Sequence, residues 1–257
     1  MPFTTIEVEA SGVLGSITLN RPEKLNPLSL QTLRELAEAA SWLDGRPEVR
    51  VVTVSGRGRA FSAGADLAGF AAGEPGAPPP REAADAGRVM AEAIESMRAV
   101  TIASIHGHCV GGGVVLAAAC DLRLAAAGTR FSIPEVDLGI PLAWGGIPRL
   151  VREIGPAMTK ELVLSCRPFT AQEGRELGLI NRVLPEDQLE QAVRELAGEL
   201  ARKSALTLSA TKLAVNAATR ELASTAGAWN DADVLLSAFA DPESRRVGRE
   251  YLERHAR

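Results

Sequence analysis

Strand-like and helix-like segments alternate along most of this 257-residue chain. The β-branched runs Ile17–Leu19 and Val49–Val54 end in polar or glycine-containing turns, as strands do. Between them, apolar residues recur at helical spacing behind Ser29, a residue type that often caps helix N-termini. A similar order follows, with helical spacing over Met90–Met97 and a short strand at Thr101–His106. This order predicts an α/β fold built from strand–helix–strand units.

The C-terminal part has a different pattern. From about Leu189 onward the segments are long, rich in Ala and Leu, and without strand signals, and they end in the charged stretch Glu243–Arg257. We therefore predict a core over residues 1–195 and a helical appendage over residues 196–257. The Gly- and Pro-rich stretch Ala71–Pro80 predicts a mobile surface loop at the rim of a pocket.

Composition and charge exclude several classes of protein. With 46% hydrophobic and 23% charged residues, the chain can bury a sizeable core. A net charge of −4 with scattered Lys and Arg predicts no binding to nucleic acid or to an anionic membrane. No apolar run reaches the roughly 20 residues of a membrane span, and the first residues lack the layout of a signal peptide. We expect a cytoplasmic protein.

The three cysteines, Cys109, Cys120 and Cys166, are too few and too scattered to predict a disulfide framework, so we expect them to be reduced. The segment from His106 to Cys109 has two histidines and a cysteine, but no second cluster lies at a metal-binding spacing. We therefore predict no metal site.

Two glycine-containing turns follow predicted strands. One spans Arg59–Asp66 and the other Gly107–Gly113. Each precedes a predicted helix, whose first turn has unpaired N–H groups and a partial positive charge. The backbone N–H groups of Ala65 and Gly112 can then converge on one thioester oxygen as an oxyanion hole. Either turn alone is also explained by tight packing, and neither has the spacing of a phosphate loop or a dinucleotide-binding motif.

A series of motifs along roughly residues 5–220 resembles the crotonase family, also called the enoyl-CoA hydratase/isomerase family. Each motif is short, but the joint pattern is specific. The motifs, in chain order, are Asn20–Asn26 (NRPEKLN), Ala60–Leu67 (AFSAGADL), Gly111–Gly113 with Cys120 and Asp121, Phe131 with Pro134 and Glu135, Gly145–Gly146 with Arg149 and Leu150, and Leu177–Val183 (LGLINRV).

The resemblance implies a crotonase-like spiral of ββα units with a C-terminal helical oligomerisation region that builds a homotrimer or a dimer of trimers. It also implies an acyl-CoA thioester as the binding partner, with coenzyme A as part of the substrate and no permanently bound cofactor. The catalytic residues would be Glu135, Ala65 and Gly112. The residues around the substrate would be Lys24, Ala63, Asp66, Leu67, Ala68, Gly111, Val115 and Trp144.

The acid–base residues indicate which reaction to expect. Enoyl-CoA hydratases of the family use two glutamates, and only the second is present here, as Glu135; Val115 occupies the earlier position. Dienoyl-CoA isomerases and dehalogenases of the family place a carboxylate where this chain has Ala143. One glutamate suffices to move a proton between C2 and C4 of an enoyl thioester. Asp137 would share the face of Glu135 if the segment is extended, and is otherwise a turn residue.

Three classes of function remain at this point. The sequence favours an enzyme that shifts a double bond of an enoyl-CoA, or hydrates it, with Glu135 as the proton carrier. The alternative is a protein that carries or senses acyl-CoA without turnover, because Val115 replaces an acid. Serine hydrolysis is disfavoured because no G-x-S-x-G motif is present. Trp144 is predicted either to close the acyl end of the pocket or to be a core residue.

Overall fold

Nine strands form two sheets in residues 3–66 and 79–255, the part of the chain that this computed structural model describes. The larger sheet has the order β1-β2-β3-β4-β6-β9 and the smaller one β5-β7-β8. The strands are β1 (Ile6–Ser11), β2 (Leu14–Leu19), β3 (Val51–Gly56), β4 (Val100–Ile105), β5 (His108–Val110), β6 (Leu122–Ala126), β7 (Arg130–Ser132), β8 (Phe169–Thr170) and β9 (Arg182–Leu184).

The described helices lie between these strands and after them. They are α1 (Leu30–Asp44), α2 (Pro80–Ser96), α3 (Gly112–Ala119), α4 (Gly146–Ser165), α5 (Ala171–Glu176), α6 (Glu186–Ala201), α7 (Ala205–Leu222), α8 (Asp231–Ala240) and α9 (Pro242–His255). None of the helices in the described ranges combines the length and the apolar character that a membrane span requires.

The larger sheet is parallel except at its first edge. The chain turns between β1 and β2 at Gly12, whose φ of 57° suits glycine, and these two strands pair antiparallel. Every later pairing in this sheet is parallel. The predicted β-branched runs lie in β2 and β3, and the predicted strand at Thr101–His106 corresponds to β4. The expected α/β fold is therefore confirmed.

Helix α1 shows how the sequence directs this packing. The Ser29 side chain accepts a hydrogen bond from the Thr32 N–H at 3.2 Å, which caps the helix start. Leu33, Leu36 and Leu43 follow at helical spacing and are fully buried against the sheet core. Each such leucine contributes roughly 1.5–3 kcal/mol of hydrophobic free energy. The helix predicted behind Ser29 is thus present and amphipathic as expected.

The segment Gly107–Gly113 differs from the single strand-to-helix turn that the sequence predicts. Gly107 turns the chain with a φ of 61°, and the strand β5 then pairs with β7 before α3 begins at Gly112. The prediction missed β5 because three residues are too few to give a recognisable strand period. Because β5 directly precedes α3, the candidate oxyanion hole lies at the end of the smaller sheet.

The four C-terminal helices confirm the predicted helical region. Helix α6 packs on the larger sheet with Leu189 and Val193. Residues 195 and 196 lie within α6, and the division of the chain there stays a prediction. Helix α7 has one buried residue, Lys212, which pairs with Asp121 at 2.8 Å. Of the predicted loop Ala71–Pro80, residues 71–78 lie outside the described residues and Pro80 begins α2.

The last helix lies against a turn that follows β7. A Cβ atom added to Gly139 would be 2.1 Å from the Ser244 carbonyl oxygen. In the same way, a Cβ on Gly248 would be 2.5 Å from the Leu138 carbonyl oxygen. Only glycine permits so close an approach of two backbones. Helix α9 is therefore fitted directly onto the residues that follow Glu135.

Candidate active site

The backbone around Ala65 runs beside the start of α3. Ser62 and Cys109 form a parallel bridge, in which the Ser62 N–H donates to the His108 oxygen at 3.0 Å. Three residues further along both segments, Ala65 and Gly112 are next to each other, and both line the same pocket. The two residues that the sequence paired as donors are thus brought together.

The N–H groups of Ala65 and Gly112 donate to no acceptor among the described residues. Gly64 and Asp66 bond to Leu28 on one side, through the Gly64 oxygen at 2.7 Å and the Asp66 N–H at 3.1 Å. The Ala65 N–H therefore points to the other side, because successive peptide groups alternate along an extended segment. Gly112 is the first residue of α3, where N–H groups have no partner within the helix. An anionic oxygen is stabilised between such donors.

Glycine is required just before each donor. Gly64 has a φ of 89°, and a Cβ there would be 2.7 Å from the Val110 oxygen. Gly111 has a φ of 48°, and a Cβ there would be 2.3 Å from Glu135 Oε1. Both positions combine a left-handed backbone with a close neighbour, which excludes other residues. The Gly111 position also shows that the Glu135 carboxyl group lies directly beside the Gly112 peptide.

Glu135 has a deeply buried side chain, with 9% of the residue exposed. Its Oε2 atom is buried and has no hydrogen-bond partner among the described residues. Burial raises the pKa of this carboxyl group to about 7, because it removes the water that would stabilise the charged form. A carboxyl group with this pKa can both accept and return a proton near neutrality.

Asp137 does not share the face of Glu135. The residues from Pro134 to Gly139 form a helical turn, with the Leu138 N–H donating to the Pro134 oxygen at 3.0 Å and the Ile140 N–H to the Glu135 oxygen at 2.9 Å. Side chains two residues apart share a face in an extended segment but not in a helical turn, so Asp137 points away from Glu135. It is exposed, and its own N–H faces the Cys166 sulfur at 3.4 Å. The turn interpretation of Asp137 is therefore correct.

Trp144 lies between two helices beside the donors. A Cβ on Gly112 would be 2.3 Å from its Cζ3 atom, and a Cβ on Gly87 of α2 would be 2.0 Å from its Cδ2 atom. The ring thus occupies space that side chains would otherwise fill on both sides. Trp144 is 6% exposed, packs with the main hydrophobic cluster and also lines the pocket. It is a core residue and a pocket wall together.

The pocket beside the donors is small, with a cavity volume of about 30 Å³, and its lining is mostly apolar. Glu135 is the single ionisable side chain among its described lining residues. Val115 and Ala143, which occupy positions of acids in relatives that the sequence resembles, are both buried in its wall. The apolar side chains of the lining are Val115, Ile140, Pro141, Leu142, Ala143, Trp144, Leu235 and Phe239.

Lys24, Ala63 and Asp66 lie along one edge of this region. Lys24 ends a short 3₁₀ helix and is exposed, and the Ala63 N–H donates to the neighbouring Leu25 oxygen at 2.8 Å. Asp66 forms an ion pair with Arg21 at 3.3 Å. The sequence-based prediction did not include Arg21. Leu67 and Ala68, also predicted to line the substrate, lie outside the described residues.

The other side chains that the sequence suggested as reactive lie outside the described lining of this pocket. No group of three His, Cys, Asp or Glu side chains within residues 3–66 and 79–255 could hold a metal ion. The three cysteines are free and buried. His106 Nε2 lies 2.8 Å from the Gly58 oxygen, and His108 is exposed, so neither histidine lines the pocket. The arrangement is one of two N–H donors and one buried acid.

Comparison with known proteins identifies the family. The family model described as enoyl-CoA hydratase/isomerase matches residues 9–257. The chain belongs to the enoyl-CoA hydratase/isomerase family. The resemblance inferred from the motifs is thereby confirmed, and this membership supports an enzyme that acts on acyl-CoA thioesters.

Individual relatives in this family carry different activities in their names. The chain is 34% identical to a crotonyl-CoA hydratase of Syntrophomonas wolfei, over 94% of this chain and 89% of the relative. It is 32% identical to a peroxisomal Δ(3,5)-Δ(2,4)-dienoyl-CoA isomerase of Arabidopsis thaliana, over 95% of each. An enoyl-CoA hydratase structure from Mycobacterium avium subsp. paratuberculosis superimposes with a TM-score of 0.88, at 28% identity, over 97% of this chain and 99% of that one. Hydratases and isomerases are thus both similar to this chain.

Several lining residues of this enoyl-CoA hydratase/isomerase family member were missed by sequence reasoning. Leu235 and Phe239 come from α8, about 100 residues after Glu135, and no motif signals their place. Ile140 and Leu142 follow the Glu135 turn directly. The one sequence signal for Ile140 and Leu142 as lining residues was that both are apolar and lie close to the predicted acid Glu135.

Proposed function

We propose that this protein shifts a carbon–carbon double bond in an enoyl-CoA, with Glu135 moving the proton. The observation that carries the proposal is a pocket whose described lining holds two free N–H donors and one ionisable side chain, Glu135. The ionised carboxylate removes a proton from C2 of a 3-enoyl thioester, and the electron pair spreads over a dienolate. The N–H groups of Ala65 and Gly112 stabilise the dienolate oxygen. The carboxyl group then returns the proton at C4, which gives the 2-enoyl isomer.

The position of Glu135 suits this transfer. Its carboxyl group lies beside Gly111, next to one oxyanion donor, so a thioester oxygen held there brings the adjacent carbons toward the acid. The pKa of about 7 makes the carboxylate available as a base and the acid available as a donor at the same pH. Val115 and Ala143 supply no second acid–base group.

Hydration is a second candidate, because a similar protein is named a crotonyl-CoA hydratase. In that reaction Glu135 would deprotonate a water molecule that attacks C3, and a proton would be added at C2. The apolar pocket wall disfavours hydration, since Val115 cannot hold or deprotonate the water. A carrier or regulator that binds acyl-CoA without chemistry is the alternative from a different class.

The coenzyme A part of the substrate would extend past Ala63 and Asp66 toward Lys24. Lys24 is exposed and Arg21 lies nearby with its ion-pair partner Asp66, so this edge has two cations for phosphate groups. The acyl part would enter the apolar pocket. No permanently bound cofactor takes part, because proton transfer requires none.

The molecule would work as a trimer or as a dimer of trimers, built through the C-terminal helices. Helix α7 packs little against its own chain, with Lys212 as its one buried residue. Four of its apolar side chains are more than half exposed, as expected for a surface that another copy covers. They are Leu206, Leu213, Val215 and Leu222.

The reaction is tested by incubating the protein with 3-enoyl-CoA and, separately, with 2-enoyl-CoA. We expect conversion of the 3-enoyl to the 2-enoyl thioester and, with a substrate that carries deuterium at C2, transfer of deuterium to C4. Glu135→Gln removes the proton carrier and is expected to lower kcat at least about 100-fold. Asp137→Asn, a matched control on the same turn, is expected to keep the wild-type rate because Asp137 is exposed and outside the pocket.

Each other outcome counts against the isomerase. Formation of 3-hydroxyacyl-CoA without a double-bond shift would establish the hydratase instead. Tight binding of both thioesters without any product would establish the carrier. Full turnover by Glu135→Gln would show that another group moves the proton.

A further inference from the structure

Trp144 has a backbone conformation that a bulky residue rarely adopts. Its φ is 63°, in the left-handed region, where the Cβ of an L-residue crowds the backbone. Glycine would adopt this conformation without strain, and Gly145, with a φ of 69°, does so at the next position. A tryptophan at a position that suits glycine points to a role for its side chain.

Buried polar contacts hold this strained backbone in place. Arg149 Nη1 donates to the Trp144 oxygen at 3.2 Å and to the Gly145 oxygen at 3.1 Å. From the other side, the Gly145 N–H donates to Asp231 Oδ2 of α8 at 2.8 Å. The Arg149 side chain is 1% exposed and pairs with Glu95 of α2. Side chains from α2, α4 and α8 thus hold the backbone of this turn in place, and with it the residue that carries the indole.

The indole bounds the pocket next to the reacting groups. A Cβ atom added to Gly112 or to Gly87 would collide with its ring, so the ring fills the space between α2 and α3. We propose that Trp144 is the specificity-determining end wall of the acyl subsite and restricts the substrate to short acyl chains. This inference rests on the proposed function, because it assumes that the acyl group enters this pocket.

The size and polarity of the pocket define the substrate class further. Its cavity volume of about 30 Å³ is far below the roughly 300–1,000 Å³ typical of small-molecule sites, so it has no room for a long acyl chain beside the thioester and the reacting carbons. Beyond Glu135, the Trp144 indole N–H and the N–H groups of Ala65 and Gly112, its described lining side chains are apolar and offer few partners to a hydroxyl or carboxyl group on the acyl chain. The acyl group that fits is short and largely apolar.

The test measures binding of saturated acyl-CoAs of increasing length by calorimetry. These thioesters have no double bond to shift, so they report fit separately from catalysis. For the wild type we expect affinity to rise about fourfold per added methylene, equivalent to about 0.8 kcal/mol, up to the chain that reaches the indole, and then to stop rising. In Trp144→Gly, which keeps the backbone conformation, the fourfold steps should continue to longer chains.

Trp42→Ala is the matched control, because it removes an indole that does not line the pocket, and it should keep the wild-type length profile. A wild-type affinity that rises steadily from butyryl to decanoyl would overturn the proposal without any variant. An identical length profile in Trp144→Gly and wild type would overturn it as well. A shifted profile in a protein without isomerase activity would support the end wall and reject the proposed reaction.

Discussion

The carboxyl group of Glu135 is placed where water cannot solvate its charge. Burial raises its pKa to about 7, and its Oε2 atom has no partner among the described residues. This arrangement suits the proton carrier that we propose, because the acid and the base forms are both populated near neutral pH. The same burial makes the ionised form unfavourable for the fold. The proposed catalytic role of Glu135 and the stability of the fold therefore oppose each other at this residue.

This opposition predicts a pH-dependent stability difference between wild type and Glu135→Gln. The pKa of Glu135 is about 7 in the folded protein and near 4.5 ordinarily, so the folded state binds more protons between these values. The contribution of the Glu135 carboxyl group to the free energy of unfolding is fully present below pH 4.5, and it is lost as the pH rises through 7. Above pH 7, the glutamine variant should be the more stable by up to about 3 kcal/mol. Urea unfolding at pH 4.5, 6 and 8 measures this.

Asp137→Asn serves as the control, because its exposed carboxylate carries no such burial cost. Its free energy of unfolding should follow the wild-type curve at all three pH values. A glutamine variant that is less stable than wild type at pH 8 would contradict the buried, uncompensated state of Glu135.

Among the elements, those with regular periods could be predicted from the sequence. The cap at Ser29 and the leucines behind it specify α1, and the β-branched run specifies β3. The pairing of Ala65 with Gly112 came from motifs whose order matched a family. The structure adds the reason, which is the parallel register of Ser62 with Cys109.

Contacts between distant elements could not be predicted. The Trp144 ring fits against α2 because residue 87 is a glycine and has no side chain there. Nothing near Trp144 in the sequence indicates this contact. Leu235 and Phe239 reach the pocket because α8 packs against α2, where Arg81 pairs with Asp233 at 2.9 Å. Such contacts arise from tertiary packing, for which a local period carries no information.

The contact between α2 and Trp144 predicts an unusual effect of Gly87→Ala. Alanine inside a helix ordinarily adds about 1 kcal/mol of stability over glycine. Here the new Cβ would be 2.0 Å from the Trp144 ring, and such overpacking costs about 1–3 kcal/mol. We expect net destabilisation in the wild type and a gain of about 1 kcal/mol in the Trp144→Gly background. Urea unfolding of the four proteins measures this coupling.

Gly198→Ala in α6 is the matched control, because a Cβ at Gly198 meets nothing within 4 Å. It should stabilise both backgrounds equally. A stabilising effect of Gly87→Ala in the presence of Trp144 would mean that the ring does not occupy the space beside Gly87.

For the whole molecule, the apolar surface of α7 predicts association of copies. Leu206 and Leu222 are 79% and 82% exposed in the single chain, so a monomer would leave these apolar side chains in water. We expect a solution mass of three or six times 27.1 kDa by light scattering. Leu213→Glu, which places a charge within this surface, should shift the mass toward that of a single chain.

The control for added charge is Gln191→Glu on the exposed face of α6, next to Arg194. It should leave the mass unchanged. A wild-type protein with the mass of one chain at micromolar concentration would show that α7 is not an assembly surface.

The close fit between α9 and the Glu135 turn has a consequence for protein synthesis. The acid is translated about midway along the chain, but Ser244 and Gly248, which pack against its turn, are translated more than a hundred residues later. Until the chain has been synthesised past Gly248, the turn that carries Glu135 therefore lacks this support. A message interrupted before that point yields a protein that contains Glu135 without holding it in the position seen here.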